Sequence, residues 1–380
     1  MIDFGDTNSV ICLLKGPKVE VIQDNENSNV VEYPSYVEYK GNDVIVGRDA
    51  KRRRDNRVAK FCVSCVGRLL GLTWDEYQLL KKKDVFGVEV VCGSDKYPRF
   101  VVSDNGRQVT CIEVASELFH LFKSKADICN RASIDNCYVI IPATYKDTQR
   151  IAIKEAARIA GLNVKSFILK PVAVAMSWYF NHKYELTRDN IVLVFDFGRS
   201  SLDLSLLKYD GNGSFSLMDT DGDPNMGGDD VDYEIAKRVC EIVEDTEGIP
   251  FNPLKTRRRT QFLAACEEAK IQLSSRESAI IDVTAFSPNL DIEITFSRNN
   301  LNDIVNHLLY KINGCIDRMI SHANRHCGVV KIVFIVGGSS NLADVKEAVK
   351  RRFSNARFPE IDPITGVAEG VLALSCLSVL

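Results

Sequence analysis

Two stretches of this chain begin alike, and that likeness limits what the chain can fold into. Ile191 to Leu207 reads IVLVFDFGRSSLDLSLL: an apolar run reaches Asp196, small and polar residues fill Gly198 to Ser201, and a second apolar stretch starts at Leu202. A continuous apolar run predicts a strand buried on both faces, with the carboxylate at its end where the strand meets solvent. Met1 to Leu14 reads MIDFGDTNSVICLL, so Asp3-Phe4-Gly5 aligns with Asp196-Phe197-Gly198 and Leu13-Leu14 with Leu206-Leu207. Each copy then turns and returns, through Gly16-Pro17 into Val19 to Ile22 and through Asp210 to Gly213 into Ser214 to Met218. Two copies of strand, acidic-glycine turn, strand, turn, strand predict two similar lobes. A third junction, KIVFIVGGSSNL at Lys331 to Leu342, ends an apolar strand in two glycines ahead of a helical pattern. Glycines there let backbone N–H groups approach an anion at a helix N-terminus, and the three junctions together suggest one phosphate cradle.

Between these junctions strands and helices alternate as an α/β architecture requires. Strand Cys137 to Ile141 is followed by an amphipathic helix with Asp147 as expected N-cap and Gly161 as stop. Helices are expected at Ile112 to Lys125, Pro171 to Phe180, Arg258 to Ser274 and Leu301 to His322, and in the apolar closing segment GVAEGVLALSCLSVL. The charged stretch Gly41 to Lys83 predicts exposed surface, and a β-rich insert turns at Asp104 to Gly106. The expected division is residues 1–185 as the first lobe (core 1–35 and 110–185, insert 36–109) and 186–380 as the second (core 186–220 and 300–380, insert 221–299).

Composition excludes more than it selects. At 45% hydrophobic and 26% charged, with net charge −3, the chain reads as an ordinary globular protein with no electrostatic appetite for a polyanion. Basic clusters at Lys51 to Arg54, Lys81 to Lys83, Arg257 to Arg259 and Lys350 to Arg352 lack interleaved aromatics, so no nucleic acid is expected as partner; Lys51 to Arg54 leaves nuclear targeting open. No apolar run approaches the roughly 18 residues of a membrane span, no signal peptide is evident, and a cytoplasmic place without membrane partner is expected. The twelve cysteines are scattered through core segments without disulfide-framework spacing. Cys62 and Cys65 form a lone CxxC, and His322, His326 and Cys327 lack an evident further ligand, so neither predicts a zinc site.

In MIDFGDTNS, IPATYKDTQRIAIKEAARIAGLNV, VFDFGRSSLDLS, DPNMGGDDVD, CEEAKIQLSS and IVGGSSNL, taken in that order, the chain resembles the nucleotide-binding domain of the 70-kDa heat-shock chaperone family, within the actin and sugar-kinase superfamily. The resemblance runs through nearly the whole chain. It implies a two-lobed actin-like ATPase fold of class α/β, with duplicated ribonuclease-H-like cores and inserted subdomains, clasping ATP or ADP and Mg2+ in a central cleft. Carried over, Asp3 and Asp196 would hold magnesium through water, and Asp203 matches the family's second acidic residue after the strand. Gly5, Thr7 and Asn8 would face the phosphates from one lobe, and Gly198, Ser200 and Ser201 from the other. Gly227, Gly228, Gly337, Gly338 and Ser339 would bring backbone N–H groups to ribose and phosphates, while Glu267, Lys270 and Ser274 would grip the adenosine.

The departures fall on the chemistry. Gly67 stands where the family places the lysine that orients the attacking water, Lys170 where it has a glutamate beside the magnesium shell, Asp6 where a threonine meets the γ-phosphate, and Arg199 where a phosphate-loop glycine belongs. Ile364 replaces an aspartate, and Asn341 an arginine near the adenosine. An unpaired carboxylate about 4 Å from a phosphate oxygen costs about 4 kcal/mol at an effective dielectric of 20, against about 8 kcal/mol for a micromolar affinity. Asp6 is therefore expected to pair with Arg199 or Lys170 and partly occupy the phosphate site; a rival reading sends Lys170 to the phosphates in place of the lysine lost at Gly67.

The resemblance thus implies an ATP-binding chaperone domain, assisting protein folding in a stress response, with weak or absent hydrolysis. The alternatives are a nucleotide-independent pseudo-ATPase scaffold that binds chaperone partners and a small-molecule kinase of the same superfamily. J-domain proteins and nucleotide-exchange factors are the implied partners, with unfolded clients only if a clamp domain exists.

Overall fold

The computed structural model describes residues 1–361 apart from 17, 25–29, 81–83, 183–185, 257 and 288–291. Ile364, Cys376 and the apolar closing segment lie outside the described residues, as do Lys81 to Lys83. The described chain divides into two compact units, Met1–Arg188 with Asp210–Ser216, and Asp189–Tyr209 with Leu217–Glu360.

The first unit is built on a mixed sheet in the order β12-β11-β1-β2-β3, from Asn163–Leu169, Asn136–Ile141, Ile2–Asp3, Asn8–Lys15 and Lys18–Val21 in that spatial order, with β4 (Glu32–Pro34) also paired to β2. β1 runs parallel to β11 and antiparallel to β2. Two smaller sheets join it: β5 (Tyr36–Lys40) between β6 (Asp43–Val46) and β7 (Cys62–Ser64), and β9 (Pro98–Val101) between β8 (Val90–Cys92) and β10 (Gln108–Thr110). Four of the unit's helices are α1 (Arg48–Asp55), α2 (Trp74–Gln78), α3 (Cys111–Asn130) and α4 (Asp147–Ile159), and α5 (Lys170–His182) leaves the end of β12.

Local chemistry sets the helix ends. Thr110 and Glu113 close a capping box at the start of α3, each satisfying an N–H that the helix itself leaves unpaired. The helix expected at Ile112 to Lys125 starts one residue earlier, at Cys111, and runs about a turn further, to Asn130. Asp147, expected as an N-cap, is instead the first helical residue of α4; Lys146 takes the cap position, and its N–H donates to Gln149 Oε1 at 3.0 Å. Gly161 does stop the helix, at φ +78.

The stretch Gly41 to Lys83 corrects its expectation of exposed surface. Its charges line α1, but Val63, Val66, Leu69 and Leu70 are fully buried and join Phe4, Phe86, Phe100 and Phe119 in the unit's core. Each such side chain contributes about 1.5–3 kcal/mol of burial free energy. Cys62 and Cys65 are free and buried, and burial pushes the Cys62 thiol up to about 12.

In the second unit the sheet order is β15-β14-β13-β18, from Phe215–Asp223, Leu202–Tyr209, Ile191–Phe197 and Val330–Val336. β13 is buried on both faces, as its unbroken apolar run predicts, and pairs antiparallel with β14 and parallel with β18. Helices α6 (Gly228–Glu247), α7 (Arg259–Leu273) and α8 (Arg298–His322), the hairpin β16 (Ser278–Asp282) with β17 (Glu293–Ser297), and α9 (Ala343–Arg352) complete it. One core joins Phe195, Phe197 and Leu204 of the sheet to Val231, Ile235, Phe262, Phe296 and Ile316 of these elements.

The sequence duplication is a duplication of register. Asp3 stands opposite Val10 across β1 and β2, and Asp196 opposite Asp203 across β13 and β14, the same offset in each hairpin. Both strands also carry a parallel neighbour on the other side, Asp3 beside Ile140 and Asp196 beside Val336.

Candidate nucleotide-binding residues in the two units

In the first unit the turn after Asp3 is closed by neutral groups. Gly5 N–H donates to Ser9 Oγ at 3.3 Å and Gly5 C=O accepts from Ser35 Oγ at 2.8 Å, while the two hydroxyls meet at 3.0 Å. Ser35 N–H donates to Thr7 C=O at 2.8 Å. A Cβ on Gly5 would fall 2.1 Å from the Asn8 carbonyl oxygen, so no other residue closes this turn unmoved. Phe4 anchors it below, stacked on Phe119 at 5.2 Å between ring centroids. Thr7 is half-buried and Asn8 exposed at the start of β2.

Two departures from the family pattern meet in space. A Cβ on Gly67 would lie 2.6 Å from Asp6 Oδ1 and 3.2 Å from the Tyr145 hydroxyl, which donates to Gly67 C=O at 3.1 Å. Gly67 has no positive φ. A side chain there would have to displace the Asp6 carboxylate and crowd the Tyr145 hydroxyl. Tyr145, unremarked in the sequence reading, lies within the IPATYKD motif, and only the fold brings it to Gly67. Lys170 opens α5 at the end of β12, half-buried.

In the second unit the expected residues converge. A Cβ on Gly337, at φ +87, would fall 2.5 Å from Asp196 Oδ1 and 2.4 Å from Phe197 C=O, so the glycine keeps the carboxylate's flank clear. Ser201 Oγ donates to Asp203 Oδ2 at 2.8 Å. Ser200 and Ser339 are buried. A Cβ on Gly228 would touch Ser339 Oγ at 2.3 Å and Lys270 Nζ at 3.1 Å, so α6, α7 and the turn after β18 meet at this glycine. Gly338 faces open space. Ser274 caps α7 and bonds back to Lys270 C=O at 3.3 Å.

The first N–H groups of α6, expected to face ribose and phosphates, are engaged inside the unit. Gly228 N–H donates to Gly198 C=O at 3.1 Å and Asp229 N–H to Arg199 C=O at 2.8 Å. Gly227 N–H donates to Asp230 Oδ2 at 2.7 Å. A Cβ on Gly227 would lie 2.3 Å from Arg199 C=O, so the turn and the helix start are pressed together.

Charge completes the arrangement. Arg199 Nε lies 2.7 Å from Asp229 Oδ1, and Nη1 donates to both oxygens of Glu267 at 3.0 and 3.2 Å. Lys270 Nζ lies 2.8 Å from Asp232 Oδ1, both side chains buried, and donates to Gly228 C=O at 3.2 Å. Burial pushes the Asp232 carboxyl up to about 7 against the opposing pull of Lys270, with Glu267 and Asp229 adding to the rise. Asp229 and Asp232 lie in the DPNMGGDDVD motif, where acidic residues in the first turns of a helix are what the helix dipole alone favours, so their sequence does not single them out as partners of Arg199 and Lys270.

Elsewhere in this unit His322 Nδ1 lies 2.8 Å from Asp219 Oδ2 and its ring 4.8 Å from that of His326. Among the described residues no three His, Cys, Asp or Glu side chains gather as metal ligands, and no helix is long and apolar enough to cross a membrane.

Comparison with known proteins fits this geometry. The family model described as Hsp70 protein matches residues 1–377. The chain is 30% identical over 375 residues to a mitochondrial 70 kDa heat shock protein of Solanum tuberosum, covering 97% of this chain and 53% of that protein. It is also 30% identical over 377 residues to the chaperone protein DnaK of Deinococcus radiodurans, covering 97% and 58%. The chain thus spans somewhat over half the length of these relatives. With the mixed α/β fold and its paired acid-glycine turns, the match over almost every residue makes this chain a member of the Hsp70 family.

Proposed function

We propose that the chain is the ATP-binding domain of a divergent Hsp70-type chaperone in which hydrolysis is weak or absent. The carrying observation is the contact at Gly67. The family's catalytic lysine would root where Asp6 Oδ1 lies 2.6 Å from the first side-chain atom, so the two departures act as one change. Without that lysine an attacking water loses its orienting cation, the kind of loss that removes a large share of phosphoryl-transfer catalysis.

Bound magnesium would neutralise phosphate charge. Asp196, its flank kept clear by Gly337, is a hard-oxygen donor suited to holding that ion through its water shell, and Asp3 is the donor at the equivalent position of its own unit. Glu267 and Lys270 would take the nucleoside end. J-domain proteins and exchange factors are the proposed partners, and client binding would require a clamp domain. A second reading, a nucleotide-independent scaffold for such partners, is favoured by the hold of Arg199 on Glu267.

The test is ATP binding by calorimetry and single-turnover hydrolysis in the wild type, Gly67→Lys, Asp6→Thr and the double variant. Wild type is expected to bind ATP and turn it over slowly or not at all. Gly67→Lys alone should lose about 1–3 kcal/mol of stability to overpacking without gaining activity, and the double variant should recover stability and hydrolyse measurably faster. Wild-type turnover unchanged in all three variants would overturn the proposal; absence of ATP binding at millimolar nucleotide would favour the scaffold.

A further inference from the structure

The guanidinium of Arg199 spans two carboxylates, Asp229 through Nε at 2.7 Å and Glu267 through Nη1 at 3.0 and 3.2 Å. Its main chain is fixed too, because Arg199 C=O accepts from Asp229 N–H at 2.8 Å and Gly227 leaves no room for the turn to shift toward α6. The side chain therefore leaves the strand-end turn and runs to the carboxylate that, on the nucleotide reading above, takes the nucleoside end. From its place in the sequence alone it would be assigned to the phosphates. A hydroxyl donating to the carboxylate would make one charge-assisted hydrogen bond, whereas the guanidinium brings a full opposite charge and meets both oxygens of Glu267. Releasing Nη1 also disturbs a fork whose other arm Asp229 holds.

We infer that Arg199 is a built-in occupant of the nucleoside end of this site: a latch that adenosine must displace from Glu267, setting nucleotide affinity through the nucleoside and not through the phosphates. This rests on the reading that Glu267 meets the nucleoside. The cluster of Arg199, Lys270, Asp229, Glu267 and Asp232 carries no surplus positive charge, so it gives no reason to expect a ligand with an extra anionic group on the sugar.

Adenosine, which has no phosphate, separates the two assignments. Titrating adenosine and ADP with magnesium into wild type, Arg199→Gln and Asp229→Asn should show both ligands binding about two- to fivefold tighter in each variant, by the same factor for nucleoside and nucleotide. Asp229→Asn loosens the latch without touching the arginine, so it stands as a test even where Arg199→Gln folds poorly. Arg199→Lys, which keeps the charge but not the fork, should fall between. Tighter ADP with unchanged adenosine would put Arg199 at the phosphates and overturn the inference, and so would no change in either ligand while wild type binds ADP. If no variant binds adenosine or ADP at millimolar concentration, the nucleotide reading itself fails and the latch with it.

Discussion

The turn at Asp3 to Asn8 and the turn at Asp196 to Ser201 share one strand register and are held by different physics. Neutral groups brace the first: two buried serines, Ser9 and Ser35, and a glycine whose missing Cβ is a steric necessity. The second is braced by charge, with Arg199 on Asp229 and Glu267 above a buried Lys270–Asp232 pair. At its own glycine there is room, since a Cβ on Gly198 would find its nearest neighbour at 3.6 Å. Asp6 and Arg199 are the same position in the two copies, one acidic beside a vacated side-chain site and one basic among acids. A duplicated hairpin has kept its strand register while the means of fixing its turn diverged, so the copies should answer differently to pH, to salt and to an added methyl.

The largest difference should appear with pH. Asp232 titrates near 7 in the folded chain against about 3.8 unfolded. Between those values the folded state binds the extra proton, so stability is fully present below pH 4 and is lost as pH rises through 7. The loss is on the order of a few kcal/mol at most. Denaturant midpoints of wild type and Asp232→Asn across pH 4 to 8 should diverge accordingly, the wild type losing ground relative to the variant toward neutral pH. A constant difference would show that the pair is not charged by titration in this range.

A methyl group probes the same contrast sterically. Gly5→Ala drives Cβ to within 2.1 Å of a backbone oxygen and should cost about 3 kcal/mol, whereas Gly198→Ala makes ordinary contact and should cost under about 0.5 kcal/mol. Equal losses measured by urea unfolding would mean that the two turns are sterically alike after all.

Why the duplication was legible and its divergence was not follows from the range of the interactions. A buried strand ending in an acid, with glycine two residues on, is written in consecutive residues, and the common register follows from the equal spacing of Asp3 to Val10 and Asp196 to Asp203. Helix existence was legible for the same reason, while ends set by caps such as Thr110 with Glu113, or by the cap position falling on Lys146 and not Asp147, depend on single hydrogen bonds that periodicity does not register. The buried apolar residues of Gly41 to Lys83 were hidden by the density of charge around them. Asp6 and Gly67 were each legible as departures, but their contact joins residues far apart in sequence. Arg199 had several acids within chemical reason, and only the packing of α6 and α7 against the turn selects Asp229 and Glu267.

The smallest expected effect is the cleanest separation of the two mechanisms. Ser35→Ala removes the donor to Gly5 C=O and the partner of Ser9 in a site where Ser35 is 1% exposed, leaving buried polar atoms unsatisfied at about 1–2 kcal/mol. Nothing in that set of hydroxyls and peptide groups ionises between pH 5 and 9, and salt has no charge there to screen, so the loss should be the same at low and high ionic strength. Arg199→Gln removes half-exposed ion pairs, which contribute under about 1 kcal/mol and are weakened by screening, so its cost should be smaller and should shrink as salt rises from 0.05 to 0.5 M. The two variants unfolded side by side in urea at both salt concentrations should therefore differ, one loss constant and the other falling with salt, from equivalent turns. If the Ser35→Ala loss fell with salt, the first turn would be electrostatically held as well, and the asymmetry between Asp6 and Arg199 would need another cause.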